Sequence, residues 1–214
     1  MLAGRIEPSQ PLQSQVEESL AAVAPDEIDD ARAREYTLLA ALLTRTPDRQ
    51  FLDDIANLKV DASPIGLAHA ALAEAARAAK PETVEREFFD LFIGIGRGEL
   101  MPFGSYYLTG FLYERPLARL RSDLGELGIA RSEGNYEPED HLATLCEVMA
   151  GLAGGRFPAV PGSDETIFKK HVEPWAGRFF ADLERAQAAQ FYRSVGMLGR
   201  VFIEIETEAY ALPA

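Results

Sequence analysis

The residues best suited to chemistry lie between Ser132 and Leu142, where Glu133, Glu137, Glu139 and Asp140 share a stretch without lysine or arginine and Asp140 adjoins His141. Spacing leaves two readings of this cluster open. The acids complement a helix N-terminus, whose amide dipoles favour negative charge, or they form an acidic mouth that takes guanidinium groups in bidentate pairs. A third use, as the acid and base of a small enzyme acting on a nucleotide, would need the glycine loop Gly94-Ile95-Gly96-Arg97-Gly98 to cradle phosphate. That loop follows a helical pattern instead of a strand and runs into Glu99 where a phosphate loop carries Gly-Lys-Ser/Thr. It reads as an interhelical turn.

The remaining chemical candidates are weaker. His69, His141 and His171 are scattered, and none has a glutamate three residues before it, the spacing by which helical bundles hold paired metals. Glu204, Glu206 and Glu208 spread around a helix axis and read as a solvated face. Ser105 lacks a Gly-x-Ser-x-Gly elbow. Cys146 falls in an apolar helical pattern and reads as a small core residue. The expectation is a protein with no catalytic site, no metal and no other cofactor.

The elements that must position these residues are helical throughout. Tyr36, Leu39, Leu42 and Leu43 repeat at helical spacing after Asp26; Pro47-Asp48, Ser63-Pro64, Pro81 and Pro116 each open a further helix. Val84, Phe88, Leu91, Phe92 and Ile95 form one apolar stripe, and Ser105 is placed to cap a segment from Tyr106 to Tyr113. Leu142, Leu145, Met149 and Leu152 form another stripe; Val201 to Ile205 reads as helix by context. The spacing predicts an all-α fold, a single globular bundle of about nine or ten helices. Its expected parts are a tail over 1–24 that becomes helical, an N-terminal half over 25–129, a hinge over 130–141 and a C-terminal half of the same domain over 142–214.

Composition narrows the partners. With 47% hydrophobic residues in 214, the chain can bury a sizeable core. Asp plus Glu outnumber Lys plus Arg by 34 to 21, a net charge of −13 that repels nucleic acid and anionic membranes and attracts cations. One cysteine permits no internal disulfide and suits a reducing compartment. Met1 to Gln10 lacks the apolar core of a secretory signal, and no run approaches the ~18 apolar residues of a membrane span. A cytoplasmic protein without membrane insertion is expected.

Three blocks together resemble the TorD/DmsD family of twin-arginine proofreading chaperones for molybdoenzymes. They are Glu137-Pro138-Glu139-Asp140-His141-Leu142, Phe88-x-x-Leu91-Phe92 followed by the glycine loop and Pro102-Phe103-Gly104-Ser105, and His171-x-x-Pro174-Trp175. Phe88 and Phe103 stand where the family often carries larger aromatics, which preserves an apolar wall. The resemblance implies a chaperone that binds the twin-arginine signal peptide of a molybdenum-containing redox enzyme, and in some cases the apo-enzyme body, while the cofactor is loaded before export. It also implies a peptide site built from Phe88, Leu91, Phe92, Pro102, Phe103, Gly104, Ser105, Asp140 and His141. The rival readings are the nucleotide enzyme on Asp140 and His141 and a helical scaffold for assembling a redox subunit.

Overall fold

Local signals set most helix starts. Asp26 Oδ1 accepts from the amides of Ile28 and Asp29 at 2.9 Å and opens α1 (Glu27–Thr44). Asp48 caps α2 (Arg49–Ala56) through the Phe51 amide at 2.8 Å, and Ser63 caps α3 (Pro64–Ala78) through the Gly66 amide at 3.1 Å. Each cap satisfies an amide that has no partner within its own helix. The computed structural model describes residues 26–131 and 137–212; the expected tail over 1–24, and Glu133 with residues 132–136 of the expected hinge, lie outside these.

Next come α4 (Pro81–Phe88), α5 (Gly104–Thr109), α6 (Arg115–Glu126), α7 (Leu142–Ala153), α8 (Ser163–Ile167), α9 (Ala176–Arg185) and α10 (Phe191–Ala211). Two helices widen into π turns, α4 over Phe89–Ile93 and α8 over Phe168–Val172. In each, an amide reaches five residues back, Gly94 to Phe89 at 2.7 Å and Glu173 to Phe168 at 2.9 Å. Helices make up 69% of the structure, and no strand occurs among the described residues. Phe103 and His141 form one isolated antiparallel bridge.

The expected segment from Tyr106 to Tyr113 is corrected by these bounds. It starts at Gly104, stops at Thr109, and turns through Gly110 at φ +84°. Ser105 lies inside the helix, fully buried, and is not its cap.

Packing interleaves the chain. α1 lies against α7, and α10 lies against α9, α3, α1 and α4, so the segments before and after residues 130–141 share one core. Trp175, Tyr36, Tyr192, Phe168, Phe179 and Phe180 are fully buried there. Each contributes on the order of 2 kcal/mol or more of burial free energy. Contact between α9 and α10 requires glycine at position 199, where a β-carbon would sit 2.2 Å from the Phe180 ring.

Two buried acids bind the bundle together. Glu206 is 1% exposed, so its reading as part of a solvated face is corrected: the apolar surfaces of α1 and α10 meet across it. It receives Arg32 in bidentate fashion at 2.8 and 2.9 Å and Tyr36 Oη at 2.8 Å. The same guanidinium reaches Asp29 at 2.9 Å and Asp164 at 3.2 Å, which links α1, α8 and α10. Glu87 of α4 takes the amides of Gln190, Phe191 and Tyr192 at 2.7, 3.1 and 2.6 Å. It thereby caps α10, whose own Gln190 makes no cap bond.

Candidate functional site

Two loops meet at the site. The Leu142 amide donates to the Pro102 carbonyl at 2.8 Å and the Gly104 amide to the Asp140 carbonyl at 2.9 Å, so 102–104 and 140–142 lie side by side. Asp140 adds a side-chain bond, its Oδ2 accepting from the Ser105 amide at 2.7 Å. This amide belongs to the first turn of α5, where it has no partner within the helix.

Asp140 is thus no cap of α7. That duty falls to His141, whose Nδ1 accepts from the Ala143 amide at 3.1 Å. The bond fixes the neutral tautomer with the proton on Nε2, and burial pushes the imidazole down to about 4. His141 also meets Phe103 edge-on, with ring centroids 5.0 Å apart. An imidazole held neutral and bonded in this way is a poor partner for phosphate.

Asp140 is 3% exposed, and its second oxygen, Oδ1, finds no hydrogen-bond partner among the described residues; neither does the buried Oγ of Ser105. A buried carboxylate oxygen without a donor costs free energy that an incoming donor recovers.

The third motif block closes around the same junction. A β-carbon on Gly104 would stand 3.0 Å from Trp175 Nε1, which donates to the His171 carbonyl at 2.7 Å. His171 Nε2 lies 2.7 Å from Asp123 Oδ2, and Lys170 Nζ 3.3 Å from the same oxygen. The blocks at 102–105, 137–142 and 171–175, far apart in sequence, are one structural unit.

Two cavities flank this unit. One, of about 260 Å³, has Phe88, Phe92, Pro102, Phe103 and His141 in its wall. Phe88 and Phe92 meet edge to face at 5.1 Å, which gives the wall an aromatic floor. The other, of about 440 Å³, is lined by Gly104 and Asp140 together with Arg119, Lys170, His171 and Trp175. Seven of the nine expected residues therefore line one of two adjoining cavities. Leu91 and Ser105 line neither and are fully buried beneath them.

Sequence reasoning missed Thr44 of α1 and Thr144 and Glu147 of α7, which line the aromatic cavity. Glu147 carried a legible signal: it is the only charged residue in α7 and follows His141 and Thr144 at steps of three. Thr44 carried none, because its place depends on how α1 packs on α7. The glycine loop at 94–98 folds back on the π turn, with Glu99 and Leu100 amides donating to Asp90 and Leu91 carbonyls at 3.0 and 2.8 Å. Among the described residues no group of three histidine, cysteine, aspartate or glutamate side chains could hold a metal ion. No described helix is long and apolar enough to cross a membrane.

The structure is thus an all-helical bundle with a buried acid where two loops meet. The model of the nitrate reductase delta subunit family matches residues 59–181, which include all nine expected site residues, and the chain belongs to that family. It is 26% identical over 127 residues to a chaperone protein TorD of Vibrio cholerae, covering 55% of this chain and 58% of that one. It is 28% identical over 119 residues to a probable Tat proofreading chaperone DmsD of Haemophilus influenzae, covering 55% and 57%. These are the chaperones that the three motif blocks resemble, and the chain spans less than two thirds of either relative's length. A crystal structure from Archaeoglobus fulgidus, described as a candidate redox enzyme maturation protein, shares the fold at TM-score 0.54 and 20% identity, over 80% of this chain and 93% of that one.

Proposed function

We propose that this protein is a cytoplasmic chaperone that holds the twin-arginine signal peptide of a molybdenum-containing redox enzyme until its cofactor is in place. The observation that carries the reading is Asp140, which lines a cavity beside an aromatic one and whose buried Oδ1 has no donor among the described residues. A guanidinium supplies the missing donors, and an apolar run covers Phe88, Phe92, Pro102 and Phe103. Such a peptide carries both features, and the net charge of −13 favours its approach. The names of the TorD and DmsD relatives support the role. Nothing in this mechanism breaks or forms a covalent bond; the work is binding and release.

Calorimetric titration of wild type and Asp140→Asn against a twin-arginine peptide and its twin-lysine counterpart tests the reading. Asparagine keeps an oxygen for the Ser105 amide, so stability should move by less than about 1 kcal/mol. Peptide binding should weaken by about 1–3 kcal/mol. Lysine keeps the charge but loses the planar fork, so the four measurements form a cycle. Losses that add within about 0.5 kcal/mol would exclude direct contact between Asp140 and an arginine.

A further inference from the structure

The aromatic cavity does not end at α7. Thr44, Thr144 and Glu147 line it and also line a larger cavity of about 600 Å³ between α1 and α7, so the two share one wall. The floor of the larger one is apolar, from Ala40, Val148 and Phe157 among others. Its charged lining is three arginines, Arg45, Arg131 and Arg156, against two glutamates, Glu139 and Glu147.

In a chain of net charge −13, a groove with three arginines against two glutamates is a local reversal of sign. None of the three arginines forms an ion pair with a carboxylate among the described residues. Arg131 donates to the Glu137 carbonyl at 3.5 Å and Arg156 to the Glu147 carbonyl at 3.1 Å, and Arg45 makes no hydrogen bond or ion pair with the described residues. The carboxylate of Glu139, also in this wall, is already taken by Arg121 at 2.8 Å. Guanidinium groups with free donors over an apolar floor match carboxylates on an extended chain.

We infer that the larger cavity is a second subsite for the same client polypeptide, and that it takes an acidic segment adjoining the part held at the aromatic cavity. The inference rests on the peptide-binding reading above. It adds a rule of selection to it: clients whose arginine and apolar segment is flanked by acids are preferred. The Asp140 carboxylate and the Arg45 guanidinium fix the direction of the chain between them, because a reversed peptide would set like charges together.

Three peptides test this: one with the arginine pair and apolar run alone, and two that carry three added glutamates at one end or the other. One extended peptide should bind wild type about tenfold or more tightly than the plain one, and Arg45→Glu should abolish the gain while leaving plain-peptide affinity unchanged. Arg45 makes no hydrogen bond or ion pair with the described residues, so the variant should stay folded; Arg156→Glu gives a second reading on the same rim. Equal binding of all three peptides to wild type would overturn the inference and leave the peptide-binding reading intact. A gain that survives both substitutions would overturn it as well. Failure of wild type to bind any of the three would overturn the peptide reading itself. If tripolyphosphate bound in an Arg45-dependent way with no gain from the glutamates, the groove would be a small-anion site and the acidic-segment assignment would fall.

Discussion

At the residue scale the most informative groups are those whose surroundings conflict with their chemistry. Asp140 has one carboxylate oxygen buried with no donor among the described residues, an arrangement that an incoming donor would relieve. His141 shows the opposite adjustment, since burial lowers it to about 4 from an ordinary 6.5. The folded state thus binds fewer protons here than the unfolded state between these values, and stability falls as pH drops from about 6.5 towards 4. The contribution lost is on the order of 1–3 kcal/mol. His141→Asn keeps a side-chain acceptor for the Ala143 amide but cannot titrate, so its urea midpoint should stay flatter across that window. A midpoint that falls as steeply in the variant as in wild type would assign the acid sensitivity to other groups.

At the element scale, helices are joined by acids that reach across to a neighbour. Glu87 caps α10 from α4, and Glu206 of α10 holds Arg32 and Tyr36 of α1. Glu206→Ala should destabilise the protein by about 2–4 kcal/mol in urea unfolding, because a part-buried guanidinium and the buried Tyr36 hydroxyl then lose a partner. Replacing the pair together, as Arg32→Met with Glu206→Leu, should recover most of that loss, since apolar side chains need no partner. A loss below about 1 kcal/mol for the single variant would mean that Asp29 and Asp164 alone satisfy Arg32.

At the scale of the whole molecule, charge acts over distance. A surface of −13 should draw a cationic peptide, and salt should weaken that attraction as the screening length falls from about 30 to 8 Å between ~0.01 and 0.15 M. Stopped-flow measurements should show association slowing by about tenfold across this range, with dissociation changing much less. Association independent of salt would remove any role for the overall field.

Much of the helical framework was legible in the chain because helix starts, stops and apolar stripes are local. A cap reaches two or three residues, as Asp26, Asp48 and Ser63 do, and a stripe such as Leu142, Leu145 and Met149 repeats within two turns. The segment after Ser105 departs from its expectation because Ser105 is buried against Asp140, which arrives from elsewhere, while the stop at Gly110 is a local left-handed turn. Motif resemblance could name Asp140 and His141 but not their duties. That Asp140 serves the Ser105 amide and that Glu206 is buried were decided by packing, which brings together groups 35 and 170 residues apart. The shared wall of Thr44, Thr144 and Glu147 is of the same kind. Spacing along one helix sets which side chains share a face, but which face another helix covers, and what room is left between them, is settled only when the whole core closes.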